Sequence, residues 1–319
     1  MKKLILILTL FASITFVYAQ DIAFVNPYST PIYLNPAFAG YEGCSRIAST
    51  FQNQWPSIGT LTARSMSSYD QYVKQLHGSF AVRYMFDTQE YTGSKMNTAY
   101  FTYSPNIRLF DKKLFISPAI EIGWRRNKTN WDFYYPSFQD PRLYPLFGPE
   151  VIKRPDKDVL NVLDINSGVL ISHKNFVYGV ALHHINKPDI IFPIGWQLKR
   201  KLTAHFSYLF EINENYKLSP SILFTNQDGI QQYNSSLAFL YSNLRIAAGY
   251  GMNPDLHNDI LYLNLGYQKK WLRIIYGYEL LISRLKNHRT LGTHEIGFIA
   301  TFNCKNKKEN RKGVELINF

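Results

Sequence analysis

The sequence predicts an all-β fold, a transmembrane antiparallel β-barrel of about 14 strands with both termini periplasmic. Three observations predict it. Apolar and polar residues alternate with a period of two over most of the chain, as in strands whose two faces meet different environments. The alternating segments run roughly 10 to 14 residues, longer than the ~5–6 of soluble sheets and long enough for a tilted strand to cross a bilayer. Aromatic residues make up 16% of the chain, with 23 Tyr and 22 Phe, yet the mean hydropathy is only −0.20. One apolar face, one polar face and two aromatic girdles account for that pairing.

The chain opens like a secretory signal, assigned to 1–19. Lys2 and Lys3 supply the positive start, Leu4 to Val17 the apolar stretch, and Val17 and Ala19 the small residues before a cut ahead of Gln20. The apolar run is short for a membrane anchor, and no Cys follows the cut to carry a lipid. Removing the signal takes away two lysines and no acid, lowering the net charge from +12 to +10. Beyond it no run of about 18 apolar residues occurs, which excludes a helical membrane protein.

The alternation is clear in three places. Leu202, Ala204, Phe206, Tyr208, Phe210 and Ile212 alternate with Lys201, Thr203, His205, Ser207, Leu209 and Glu211. Leu114, Ile116, Ile120, Ile122 and Trp124 alternate with Phe115, Ser117, Ala119, Glu121 and Gly123. Ile296, Phe298, Ala300 and Phe302 alternate with Glu295, Gly297, Ile299 and Thr301. A half-buried sandwich would alternate too; strand length favours the barrel. Strands are expected near 44–55, 58–67, 76–86, 96–108, 113–126, 161–173, 176–187, 199–212, 216–226, 231–242, 244–252, 259–270, 271–285 and 292–304. They form one barrel over 44–304, preceded by a periplasmic N-terminal segment at 20–43. A basic periplasmic tail at 305–319 follows, carrying Lys305, Lys307, Lys308, Arg311 and Lys312.

Bacterial barrels have short periplasmic turns and longer outer loops. Tight polar turns are expected at 111–112, 174–175, 213–215, 242–243 and 269–270, with longer connections between them. Two connections break the rule: Ser68 to Gln75 is long where a short turn belongs, and the connection near Pro56 is short on the outer side.

Chemistry-bearing constellations are scarce. His183 and His184, with His173 and Asp189 nearby, suggest a metal, but adjacent strand residues face opposite sides. His294-Glu295 fails for the same reason, and no metal site is assigned. Glycine-rich phosphate loops, zinc-ligand spacings and a nucleophile elbow are absent. A lipid-cleaving barrel would need a Ser or Thr, a His and an orienting polar group on its outer wall, and no spacing identifies such a set. The chain is therefore expected to be no enzyme, with no cofactor, no nucleic-acid partner and no small-molecule substrate. Cys44 opens the first strand and Cys304 ends the last. In a closed barrel those strands are neighbours, so the two cysteines either form a disulfide at the seam or remain two thiols. The longest loop, Asn127 to Leu160, holds five prolines and Trp131, Tyr134, Tyr135 and Tyr144. It reads either as a lid on its own barrel or as a docking surface for a partner.

Several segments together resemble a known family. They are Asn26-Pro27-Tyr28, then Asn35-Pro36-Ala37-Phe38-Ala39-Gly40 and Phe51-Gln52-Asn53-Gln54-Trp55. Asp164-Ile165-Asn166-Ser167-Gly168, Val177-Tyr178-Gly179-Val180, His183-His184-Ile185-Asn186-Lys187-Pro188 and Gly292-Thr293-His294-Glu295-Ile296 follow in order. This series resembles the PorP/SprF family of type IX secretion and gliding proteins; Gln52 stands where that family usually has Arg. The resemblance implies an outer-membrane barrel of the Bacteroidetes. Its implied partners are a secreted protein with a C-terminal sorting domain, such as a gliding adhesin, and a periplasmic ring lipoprotein. It implies no catalytic residues. Pro36 fixes the backbone, and the small residues around it would let Asn35, Pro36 and Gly40 lie close against the barrel mouth or a partner; a plain turn before the first strand has the same composition. The leading expectation is a non-catalytic secretion partner that binds the sorting-domain protein or the ring. The alternative is a solute channel.

Overall fold

The computed structural model describes residues 21, 23–59, 61–109, 114–131, 157–191, 196–254, 259–282 and 290–302. Among them the barrel strands are β1 (Ser45–Gln54), β2 (Thr62–Val73), β3 (Gly78–Gln89), β4 (Ser94–Pro105) and β5 (Leu114–Lys128). Then follow β6 (Val159–His173), β7 (Phe176–His183), β8 (Lys201–Tyr208), β9 (Tyr216–Gln227) and β10 (Ile230–Tyr241). The last are β11 (Leu244–Met252), β12 (Ile260–Lys269), β13 (Leu272–Leu281) and β14 (Thr293–Phe302). Short continuations at Ile107–Leu109 and Phe210–Glu211 extend β4 and β8, and Asp189–Ile191 pairs with Trp196–Gln197 outside the barrel sheet. Every barrel strand pairs antiparallel with its sequence neighbours, and β14 returns to β1 from Ser45↔Phe302 to Gln54↔Thr293. Closure leaves the sheet without an edge, so the backbone can satisfy its hydrogen bonds in lipid.

Side chains alternate as expected. On β8, Thr203, His205 and Ser207 face inward and are buried, while Leu202 and Phe206 are exposed. On β5, Ser117, Ala119 and Glu121 are inward and Ile120, Ile122 and Trp124 outward. Outward residues elsewhere, including Val82, Phe101, Ile222, Leu237, Leu263 and Phe298, complete an apolar outer band. At one rim the strand pairs stack aromatic rings: Tyr216 on Tyr241 at 4.7 Å and Phe176 against Tyr208 at 4.4 Å.

Connections at that rim are short. Lys174, Ser242 and Lys270 take positive φ and turn the chain within two residues. At the opposite rim the chain leaves the barrel sheet at Lys128, His183, Met252 and Leu281 and re-enters it at Val159, Lys201, Ile260 and Thr293. β1 begins and β14 ends at the short-turn rim.

The two connections that broke the expected rhythm are resolved by a correction to β2. It runs from Thr62 to Val73, not 58–67. Trp55 and Gly59 take left-handed conformations around a 3-10 turn at Pro56–Ile58, so the connection at the long-loop rim is longer. The one at the short-turn rim is the single turn Lys74–Leu76. Hydropathy did not mark this strand because Ser65, Ser67 and Ser68 give its two faces little contrast.

Candidate functional site in the barrel lumen

The lumen contains the chain's own N-terminal segment. The segment expected at 20–43 as a periplasmic stretch, against the barrel mouth or a partner, instead lies inside the barrel over residues 23–43. Asp21 sits toward the long-loop rim, its N–H donating to Gln227 Oε1 at 2.8 Å, and the segment descends from there to β1. Local sequence explains its shape. Pro31 starts one helical turn, Pro31–Leu34. Asn35 ends that turn and caps the next, Pro36–Phe38, its Oδ1 accepting from the Ala37 N–H at 2.9 Å.

The same Asn35 side chain latches onto the wall. Its Nδ2 donates toward the Val169 and Val180 carbonyls at 3.2 and 3.3 Å and lies 3.3 Å from His205 Nε2. The wall is glycine where Asn35 lies against it. A Cβ at Gly168 would overlap Asn35 Oδ1, and one at Gly179 would overlap the His205 ring. A second latch is Gly40, with φ +60. Its N–H donates to Asp70 Oδ2 at 2.8 Å, and a side chain there would overlap Ser79. A third is Glu295, which accepts from the Val25 N–H at 2.7 Å and the Ser29 hydroxyl at 2.9 Å.

Between these latches the segment forms an apolar layer across the barrel. Tyr28, Leu34, Ala37, Phe38 and Tyr41 join Ala119, Leu170 and Val177 on one wall to Leu223, Ala238, Leu240 and Ala247 on the other. Phe38 stacks on His205 with ring centroids 5.1 Å apart. At that level the segment and both walls are in direct side-chain contact across the lumen.

Charged groups border the layer on both sides, and burial requires most of them to be paired. On the short-turn side, Arg46 donates to Asp70 at 2.8 Å, Glu42 at 3.2 Å and the Phe38 carbonyl at 3.3 Å. On the long-loop side, Glu121 accepts two bonds from Arg83, at 2.9 and 2.7 Å, one from Thr102 and one from Asn166. Arg64 bridges Gln52 at 3.0 Å and Asp87 at 2.5 Å. His184 lies just beyond β7, its Nδ1 2.8 Å from Asp164 and its Nε2 2.6 Å from Asp21. Burial opposes charge on this ring, but the Asp21 and Asp164 carboxylates outweigh it and raise its pKa to about 9. Burial likewise opposes the Asp21 carboxylate, and the His184 imidazolium beside it nevertheless holds its pKa well below the ordinary value.

Above the layer, two cavities of about 350 and 380 Å³ open on the long-loop side. They share Asp21, Tyr33, Gln89 and Lys201 in their walls. The first is cationic: Arg64, Arg83, Arg125, Lys95, Lys128 and Lys201 line it against Asp21 and Asp87.

The residues that latch the segment are scattered from Val25 to Glu295, and one sequence family spans that whole stretch of chain. A model of the type IX secretion system membrane protein PorP/SprF matches residues 16–299. The chain belongs to the PorP/SprF family. Solved structures agree on the fold. The toluene transporter TbuX of Ralstonia pickettii is 12% identical, with 86% of this chain and 94% of that chain covered and a TM-score of 0.52. The monoaromatic hydrocarbon channel CymD is 10% identical, covers 86% of this chain and 93% of its own, and has a TM-score of 0.50. At these identities the likeness is one of fold alone. No curated protein sequence matches the chain. As a PorP/SprF barrel, the protein resides in the outer membrane.

The PorP/SprF structure brings together residues that lie far apart in the sequence. Asn35, Pro36 and Gly40 are all buried within the lumen and contact the wall. Gln52, in place of the usual arginine, is buried and receives a bond from Arg64, its partner across β1 and β2. Trp131 is buried at the base of the long loop, donating to the Lys157 carbonyl at 3.1 Å; Tyr134, Tyr135 and Tyr144 lie outside the described residues. Cys44 is buried one residue before the seam pair Ser45↔Phe302; Cys304 and the basic tail lie outside the described residues. The expected opposition of the two adjacent histidines does not hold. His183 and His184 do not face opposite sides, because His184 leaves the strand with φ 56 and both rings are buried. His294 does face outward, against Tyr276 and the Leu291 carbonyl. The charge pairs of the lumen were not singled out in sequence. Their signal was a charged residue at an inward strand position, as at Arg83, Glu121 and Asp164.

Proposed function

We propose that this PorP/SprF protein is a non-catalytic, self-plugged barrel of the type IX secretion machinery. It binds or anchors, at the outer membrane, a secreted protein with a C-terminal sorting domain or the periplasmic ring. The observation that carries this reading is the lumen itself. The chain's N-terminal segment fills it, and the family's own motif residues latch that segment in place. Such a barrel offers surfaces rather than a passage. Short turns in bacterial barrels are periplasmic, so the short-turn rim is the face for the ring, and the long-loop rim with its cationic vestibule faces outward.

The experiment is a pull-down of the tagged protein from native membranes, followed by mass spectrometry. Co-purification of a sorting-domain protein or a ring lipoprotein is expected. Recovery of neither, from membranes that contain both, contradicts the reading. The channel alternative draws on TbuX and CymD, which are described as a transporter and a channel. It requires the intact protein to conduct.

A further inference from the structure

Among the described residues, one pair of buried lumenal arginines has no carboxylate hydrogen-bonded to it and leaves guanidinium donors unfilled. Near the short-turn mouth, on the far side of the apolar layer from the vestibule, Arg245 is the second residue of β11 and Arg273 the second of β13. Both project inward and are buried, at 9% and 4% exposure. Between them on β12 stands Gln268, directly opposite Arg273 in the register, while Arg245 faces Gly266, a residue with no side chain. A single neutral oxygen serves both guanidinium groups. Gln268 Oε1 accepts from Arg245 Nη2 at 2.7 Å and from Arg273 Nε and Nη2 at 3.2 and 3.0 Å. Arg245 Nε, Arg245 Nη1 and Arg273 Nη1 are buried without a hydrogen-bond acceptor.

The neighbouring charges do not relieve this. Glu42 is the carboxylate whose field reaches both arginines, and it is bonded to Arg46 at 3.2 Å. Asp70 is bonded to the same Arg46 at 2.8 Å. Among the described residues three guanidinium groups thus share two carboxylates, and Arg46 donates a direct bond to each of them. Other inward residues here, Ala247, Ile275, Ala48 and Ile299, are apolar and buried. Two like charges held together in such a setting, with donors unfilled, are costly unless an anion joins them. The planar fork of arginine matches the oxygens of a carboxylate or a phosphate.

We infer that Arg245, Arg273 and Gln268 form an oxyanion-binding site at the short-turn mouth of the barrel, which takes one carboxylate or phosphate group on the three open guanidinium donors. The anion enters from the short-turn side, because the apolar layer closes the other approach. The inference stands apart from the proposed secretion role, since it concerns the isolated barrel.

The test is thermal unfolding of the purified full-length protein in detergent, titrated with inorganic phosphate or with acetate against sodium chloride of equal ionic strength. A saturable rise in the unfolding midpoint with phosphate or acetate, exceeding that in chloride, is expected. The anion with the lower half-saturation identifies the chemistry as phosphate or carboxylate. Arg245→Gln and Arg273→Gln should each abolish the rise. Arg273→Lys, which keeps the charge and loses the fork, should raise the half-saturation about tenfold; it also serves if a glutamine variant fails to fold. A response no greater than in chloride, or one that survives both substitutions and the lysine variant unchanged, overturns the inference.

Discussion

Three residues show how single side chains hold the plug. Gly40 combines a left-handed backbone with close approach to Ser79. Gly40→Val should therefore cost roughly 1–3 kcal/mol and release the segment locally, seen as faster amide exchange in 23–44 with the strands still protected. Arg83 matters differently, because it satisfies Glu121 through two bonds inside the wall. Arg83→Met strands a buried carboxylate and should destabilise the barrel by about 3–5 kcal/mol in urea unfolding. The double variant Arg83→Met/Glu121→Leu should recover most of that loss. His184 is the pH-sensitive member. Its folded pKa, about 9, lies above the ordinary 6.5. The tie to Asp21 and Asp164 is therefore fully present below about 6.5 and is lost as pH rises through about 9. Exchange at Asp21 and the residues just after it should accelerate between pH 7 and 10, while His184→Gln should show fast exchange at both. Of these residues, the sequence made Gly40 and His184 visible as motif members but not as latches. Asn35, Gly168 and Gly179 are far apart in the chain, and only barrel closure brings the asparagine against the two glycines.

Among the elements, the strands were legible wherever the two faces differ in polarity. β5, β8 and β14 sit where the alternation put them, because Leu, Ile and Phe face lipid while Ser117, Glu121, His205 and Glu295 face the lumen. β2 was misplaced because serine occupies both of its faces. The N-terminal segment was not legible as a plug. Its prolines and small residues fit a turn, a mouth contact or a lumenal insert equally well, and only the diameter of the closed barrel decides among them. The seam between β1 and β14 carries its own proposal. Cys44 lies beside the pair Ser45↔Phe302, and the chain has one other cysteine, Cys304. A non-reducing digest should yield a linked peptide pair containing Cys44 and Cys304. Two alkylatable thiols in the protein isolated under oxidising conditions would contradict the bond.

For the whole molecule, the arrangement separates two compartments within one barrel. A cationic vestibule lies toward the long loops, the Arg46, Arg245 and Arg273 cluster toward the short turns, and an apolar layer lies between them. Tier by tier, the charge pattern follows from inward strand positions, while the layer comes from residues upstream of the first strand. On this geometry the barrel's own N-terminal segment closes it. Planar-bilayer recording of the full-length protein beside a Gly40→Val/Asn35→Ala variant tests this closure most directly. A silent wild type and stepwise conductance in the variant are expected; a wild type that conducts as readily as the variant would show that the segment does not close the barrel.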